Sequence, residues 1–491
     1  MGVTALTFVV LPLCLIWIGS PDKLLKLTIL LSCFEAAAAL TIGGYGLQPS
    51  LVPAFTFMAT TILTMLLGQR YPGLRGVLRV VGPFVLMTVY ALLTSYLMPR
   101  LFEYQTYIWP QKPSLPLLIV PLSPDASSIN QDFYLLNNCL FLILAASYLT
   151  QANLSLKPFI RTYFLSGFLV AAIAAWQFAN RMVGLPFPAT LFFSNPDWAI
   201  LTEQTIGEIP RINGPFSEPS ALGGYMSSIV CAAGWLLLRG RRETSLWLLF
   251  IAGLLTMLIS TSTTGFGVLA LCGAGVTGYV LLTGSTRMMT SVAKIGLPLV
   301  FLGGFALLLA GIFVPSIYDG IGAIADATFN KPHSFSYEAR TESDSDSLHA
   351  FAETYWLGVG WGTNRSSSLI PGLLAAIGVP GLLVLLWFAF RVVRTVQAAR
   401  RLGCSDEQHL VMDACCGGLV GFLLGAILSA PTITSPAFFF LLALLIACAV
   451  RVRLDVRAAA VWRGDAPPRK LTVRGQTMRP VADLGASNAI P

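Results

Sequence analysis

Residues 211–224 read RINGPFSEPSALGG, and the residue types in that order suit an anion at the mouth of a helix. Ser217 or Glu218 fits the cap position, and Pro219 fits the first turn, where an N–H would lack a partner anyway. Gly214 allows a tight backbone turn upstream, and Arg211 adds a planar fork of positive donors. The first N–H groups of a helix are unpaired and carry the positive end of its dipole, so such a start binds phosphate. Taken alone, the stretch better fits a capped helix whose arginine anchors to lipid headgroups.

A second stretch repeats the pattern. LGVGWGTNRSSSLIPG places Gly358, Gly360 and Gly362, then Arg365, then the caps Ser366 to Ser368, before another apolar run. Just before it, YEARTESDSDSLHAFAETYW carries Arg340 with Glu338, Glu342, Asp344, His349 and Glu353. Arginines give bidentate phosphate contacts, while a carboxylate or histidine supplies a proton acceptor. Several of these acids also fit the solvated face of a helix. In STSTTG, which includes Ser262, the hydroxyls either satisfy local backbone groups or contact a sugar.

The elements that must hold these residues are membrane helices. The chain has 491 residues, 55% hydrophobic and only 11% charged, with mean hydropathy +0.73. Soluble domains carry about 25% charged residues. Apolar runs cover residues 4–19, 24–43, 51–68, 80–98, 133–150, 158–178, 218–238, 245–260, 264–282, 295–314, 366–390, 411–429 and 436–450. These are about thirteen candidates for a hydrocarbon core roughly 30 Å thick. Backbone in lipid must bond to itself, so an all-α polytopic bundle is expected, and the ten-residue alternation of a β-barrel is missing. The first run lacks a basic flank and an A-x-A site, which makes it a retained helix rather than a signal peptide. The nine cysteines show neither a disulfide framework nor zinc-ligand spacing, so no metal is expected. Glu35, in the run 24–43, is an ionisable group within a span. It is either functional or a protonated carboxyl packed against a neighbour.

The net charge of +8 is spent in alternate loops, which argues against nucleic acid as a partner. Lys23 and Lys26, Arg70 to Arg79, Lys157 and Arg161, Arg239 to Arg242, Arg287 and Lys294, and Arg391 to Arg401 alternate with loops whose short members, GGYGLQPS, STSTT and SAPTITS, carry no basic residue. Basic short loops stay in the cytoplasm, so the carboxyl terminus lies inside and thirteen spans put the amino terminus outside. Residues 1–450 then form one membrane domain, and 451–491 a basic cytoplasmic tail, disordered towards its end. Three long outer loops remain, at about 99–132, 179–217 and 315–365, and loops of this length are commonly functional. Few basic residues face outward: Arg100, Lys112, Arg181, Arg211, Lys331, Arg340 and Arg365.

In RINGPFSEPSALG, the LISTSTTG turn, and a large outer loop with EARTESDSDSLHAF followed by GVGWGTNRSSSLIPG, the chain resembles the O-antigen polymerase and O-antigen ligase family of bacterial membrane glycosyltransferases. The resemblance covers roughly residues 178–390. It implies a GT-C-like polytopic enzyme of the bacterial inner membrane, metal-independent and without a cofactor. Members take a glycan from an undecaprenyl-pyrophosphate donor at the periplasmic face. Polymerases join it to another lipid-linked repeat, ligases pass it to lipid A-core, and a chain-length regulator is a further partner. Arg211 and Arg340 occupy the places of the family's pyrophosphate arginines. Ligases carry a histidine close after the glycine-rich stretch, whereas here that region reads NRSSS and His349 precedes it, so an O-antigen or exopolysaccharide polymerase is expected.

On this reading Arg211 and Arg340 hold the donor diphosphate, and Gly214, Arg365, Ser366, Ser368 and Ser262 line the substrate site. Glu218, Glu338 and His349, in that order, are candidates for the base. The rival is a lipid-linked glycan flippase, which would place its ionisable groups near the midplane and in repeated halves.

Overall fold

The computed structural model describes residues 2–111, 119–125, 128–196, 199–201, 203–206, 209–313, 322, 335–430, 432–462, 472–473 and 476–477. Lys112, Lys331 and most of the tail, which sequence reading assigns to outer loops and to a disordered end, lie outside these residues. The described chain is mostly helical. Its helices are α1 (Thr7–Ile16), α2 (Pro21–Leu31), α3 (Leu51–Leu66), α4 (Leu74–Leu101), α5 (Ser128–Tyr148), α6 (Lys157–Val183), α7 (Ala189–Phe192) and α8 (Pro219–Leu238). They continue with α9 (Thr244–Ser260), α10 (Thr263–Thr283), α11 (Thr286–Phe313), α12 (Phe335–Glu353), α13 (Leu369–Leu402), α14 (Asp406–Ser429) and α15 (Pro436–Trp462). Among the described residues, eight helices are long and apolar enough to cross a membrane, in α4, α6, α8, α10, α11, α13, α14 and α15. Three shorter apolar helices, α1, α3 and α9, accompany them.

The run 24–43 is not one helix. Helix α2 stops at Leu31, and after a turned segment the chain forms a hairpin, β2 (Leu40–Ile42) against β3 (Tyr45–Leu47). Its two-residue turn is Gly43–Gly44, with φ of +60° and +88°. That pair suits the tight hairpin turns, which demand positive φ. A short strand β1 (Gly2–Val3) adds to β2. Glu35 therefore sits off the helices, in the turned segment, and not within a span as the apolar run suggests. The last run is longer than expected, because α15 continues to Trp462 through residues assigned to the tail.

Helix α8 lies at the centre of the bundle, and small residues let α14 approach it closely. Added Cβ atoms on Gly417 and Gly421 would lie 2.7 Å and 2.5 Å from the carbonyl oxygens of Cys231 and Ser227. Gly425 faces Gly224 across the same seam. In lipid there is little hydrophobic drive between helices, so backbone proximity and interhelical hydrogen bonds supply the contact energy. The hydrogen bonds come from α6, where the Tyr163 hydroxyl meets Ser228 and Ser166 meets Tyr225 at 2.6 Å.

The two ends of α8 differ in charge chemistry. At its carboxyl end, the buried Asp413 of α14 takes Arg239 at 3.3 Å and Arg400 of α13 at 2.7 Å. At its amino end stand Glu218 and the residues around it. Twenty residues at 1.5 Å each put these ends about 30 Å apart, the thickness of a hydrocarbon core.

Candidate functional site

The site is built around the start of α8. Upstream, a hairpin of β6 (Thr205–Ile206) and β7 (Ile209–Pro210) delivers Arg211, whose guanidinium donates from Nη1 to Gln204 Oε1 at 3.1 Å. The next residues make a tight turn held by Gln177 of α6. Gln177 donates from Nε2 to Asn213 Oδ1 at 2.7 Å and accepts the Gly214 N–H at 2.7 Å. Asn213 in turn donates to the Phe216 carbonyl at 2.6 Å. Gly214 adopts φ +55°, as the tight turn requires. Its amide is thus engaged by Gln177, so Gly214 shapes the turn and does not offer a donor to substrate.

Glu218 occupies the cap position in extended backbone, but its side chain does not cap α8. Instead its carboxylate accepts from the Ser220 hydroxyl and lies 4.0 Å from Arg340 Nη2. Arg211 and Arg340, from separate connecting segments, are thus both within electrostatic range of one carboxylate, Arg340 the nearer of the two. Burial lowers the Arg211 pKa, with the nearby charge of Arg340 acting in the same direction and Glu218 opposing both. The Arg211 Nε is buried with no hydrogen-bond partner among the described residues. Two guanidiniums beside one carboxylate, one with an idle buried donor, make a positive cradle at a helix amino terminus.

Glu35 completes the group. The Ser217 hydroxyl lies 3.5 Å from Glu35 Oε1. The segment is pinned by the Ala36 N–H donating to the Pro215 carbonyl and the Asn195 N–H donating to the Ala36 carbonyl, both at 3.1 Å. Burial raises the Glu35 carboxyl from 4.5 to about 7, with the Glu218 charge adding to the rise and Ser217 opposing it. The residue as a whole keeps part of its surface exposed, while its carboxyl is desolvated by the surrounding protein. The sequence puts Glu35 inside one apolar run; the Gly43–Gly44 turn is the signal that this run is not one helix.

Arg340 is carried by α12, which is anchored by the segment after α4 and by the segment that follows α12 itself. Trp109 donates from its indole to Asp346 at 2.8 Å, and Asn364 donates to Ser347 at 2.8 Å. The other expected site residues stand apart. Glu338 and His349 are exposed on α12, and neither makes a hydrogen bond or ion pair among the described residues. His349 is nine positions from Arg340, about 13 Å along the helix axis.

The second phosphate site expected at the start of α13 is filled by the chain itself. Asp344 Oδ1 accepts from the Ser366 hydroxyl at 2.6 Å and the N–H groups of Ser367 and Ser368 at 2.8 and 3.1 Å. Its Oδ2 accepts the Ser368 hydroxyl at 2.6 Å. An internal carboxylate here occupies the place expected for an external anion, and the Ser366 and Ser368 hydroxyls both donate to it. Arg365 is exposed. The preceding glycines serve close packing: a Cβ on Gly360 would lie 2.6 Å from the Thr94 carbonyl, and one on Gly358 2.7 Å from that of Ala375. Ser262 is buried, its hydroxyl without a hydrogen-bond partner among the described residues, and an added Cβ on Gly223 would lie 2.8 Å from it. It thus lies beside the first turns of α8, close to the cradle.

No protein-family model matches this chain, and no curated protein matches it.

Proposed function

We propose that this chain is a membrane glycosyltransferase of polysaccharide assembly, moving a glycan from an undecaprenyl-pyrophosphate donor to a lipid-linked repeat unit. One observation carries the reading: Arg340 stands beside Glu218, and Arg211 feels the charge of both, at the uncapped start of a central apolar helix. A diphosphate bound there neutralises the two cations and takes the idle Arg211 donor. Its polyprenyl tail lies in lipid between helices, which explains why a sugar enzyme is built from them.

In the reaction, the bond between the anomeric carbon and the pyrophosphate oxygen breaks, and the acceptor hydroxyl oxygen bonds to that carbon. The electron pair leaves on the pyrophosphate, whose growing charge Arg211 and Arg340 stabilise; such preorganised charge is commonly the largest catalytic contribution. The hydroxyl proton passes to a carboxylate. Glu35 suits this best, because a base works best with a pKa near the working pH, and its carboxyl sits at about 7. Glu218 is already engaged by Arg340 and Ser220 and holds the arginines in place. The alternating basic loops favour a periplasmic position for this end of α8, in the inner membrane of a bacterium, within a GT-C-like bundle.

The test is glycan length in cells carrying R211A or R340A. Both proteins insert, and the expected product is single repeats without long polymer. Normal-length polymer from both variants rejects the assignment. Intact polymer stranded on its lipid carrier means a ligase, and repeats trapped on the cytoplasmic leaflet mean a flippase.

A further inference from the structure

At the other end of the bundle, a groove of about 520 Å³ lies between the last turns of α13 and α15. Arg391, Arg394 and Arg401 line it from α13, and Arg453 from α15. Arg79 and Arg457 are within electrostatic range of Arg453. No carboxylate lines the groove, and among the described residues none of its four arginines is in a salt bridge. Arg400, between them in sequence, is by contrast paired with Asp413.

Arginines that only set membrane orientation have no reason to converge. Like charges gathered in one concavity repel, and the arrangement is stable when an anion sits among them. Two aromatic side chains mark the depth of the groove. Arg391 lies over Trp387 and Arg394 over Phe390, at 5.6 and 5.5 Å from the ring centroids. Trp is a residue of the membrane–water interface. From there an exposed apolar stripe runs down α13 through Leu383, Leu386, Trp387 and Phe390 at helical spacing. On a membrane helix this exposed face meets acyl chains. The stripe leads directly into the arginine groove.

We infer that the groove between α13 and α15 is a binding site for the phosphate-bearing headgroup of an anionic lipid, whose acyl chains lie along the α13 stripe. Free phosphate compounds share the headgroup chemistry, but they do not use the apolar stripe. The site is remote from Arg211 and Arg340, so it stands independently of the proposed reaction.

The experiment uses the full-length purified protein in nanodiscs of phosphatidylcholine with one-fifth phosphatidylglycerol or cardiolipin, followed by native mass spectrometry of the released protein. Wild type is expected to retain the anionic lipid in preference to phosphatidylcholine. R391A/R394A is expected to lose about 30-fold of that preference, at about fivefold per arginine near a membrane surface. R391K/R394K, which keeps the charge, is expected to retain most of it and also controls for folding. Equal retention of both lipid classes, or an unchanged preference in R391A/R394A, overturns the inference. So does tight binding of inorganic pyrophosphate to this groove in detergent with no preferential lipid retention, which would assign it to a soluble phosphate.

Discussion

Replacing Glu35 by glutamine tests both the electrostatics of the site and the choice of base. The folded protein holds this carboxyl at about 7 against an ordinary 4.5, by burial first and the Glu218 charge second. Ionising it in the fold therefore costs about 3 kcal/mol more than in the unfolded chain. Because the folded state binds the proton more tightly, the stability from this group is complete below pH 4.5. It is lost as pH rises towards 7. E35Q should match wild type near pH 5 and be the more stable protein at pH 8.5, by at most that ~3 kcal/mol. Activity should move the opposite way. A base must be ionised, so the wild-type transfer rate should climb about tenfold per pH unit below 7 and level off above it. E35Q should lose about 10²- to 10⁴-fold at every pH and show no such midpoint. The assay is transfer from a synthetic polyprenyl-pyrophosphate oligosaccharide by purified protein between pH 5 and 9, with melting temperatures at both ends. E35Q turning over at the wild-type rate, with the same midpoint, would refute the assignment of the base. Equal melting temperatures at pH 8.5 would refute the electrostatic argument.

The small-residue seam predicts a graded series. Gly421→Ala sets a methyl 2.5 Å from a backbone oxygen that cannot turn aside, whereas at Gly425 the nearest atom is 3.2 Å away. G421A should destabilise by about 1–3 kcal/mol and G425A by less, read as loss of detergent-resistant folded protein on heating. Equal behaviour would place the seam elsewhere. Asp344→Ala removes the cap of α13 and leaves partly buried donors unpaired, at a cost of about 1–2 kcal/mol. Its melting temperature should fall, while polymer length at a permissive temperature is kept. Loss of polymer without loss of stability would return the start of α13 to the substrate site.

The membrane character of the chain is legible because apolar composition and run length are direct readouts of a solvent, and each of the longest helices carries one of those runs. The start of α8 is legible too, since Glu218–Pro219 follows cap and first-turn chemistry that depends only on neighbours in sequence. Glu35 shows the limit of counting apolar residues: the four alanines after it read as membrane, while Gly43–Gly44 turn the chain back into a hairpin. The start of α13 fails for another reason. Its glycines and serines match a phosphate site locally, but Asp344 arrives from a different helix to fill it. Asp413 is concealed in the same way: a lone acid in an apolar run, satisfied by Arg239 and Arg400 from two other helices. Long-range partners decide whether a polar group is free, and sequence spacing does not list them.

The central claim is that Arg211 and Arg340 together hold a diphosphate. Its most direct measurement is the affinity of purified protein in nanodiscs for undecaprenyl pyrophosphate, for wild type, R211A, R340A and the double variant. Charge-assisted hydrogen bonds contribute about 1.5–3 kcal/mol each, so each single variant should bind about 10- to 100-fold more weakly. The two losses should be non-additive, because both guanidiniums act on one diphosphate and on Glu218. Wild-type affinity in both single variants would contradict the account.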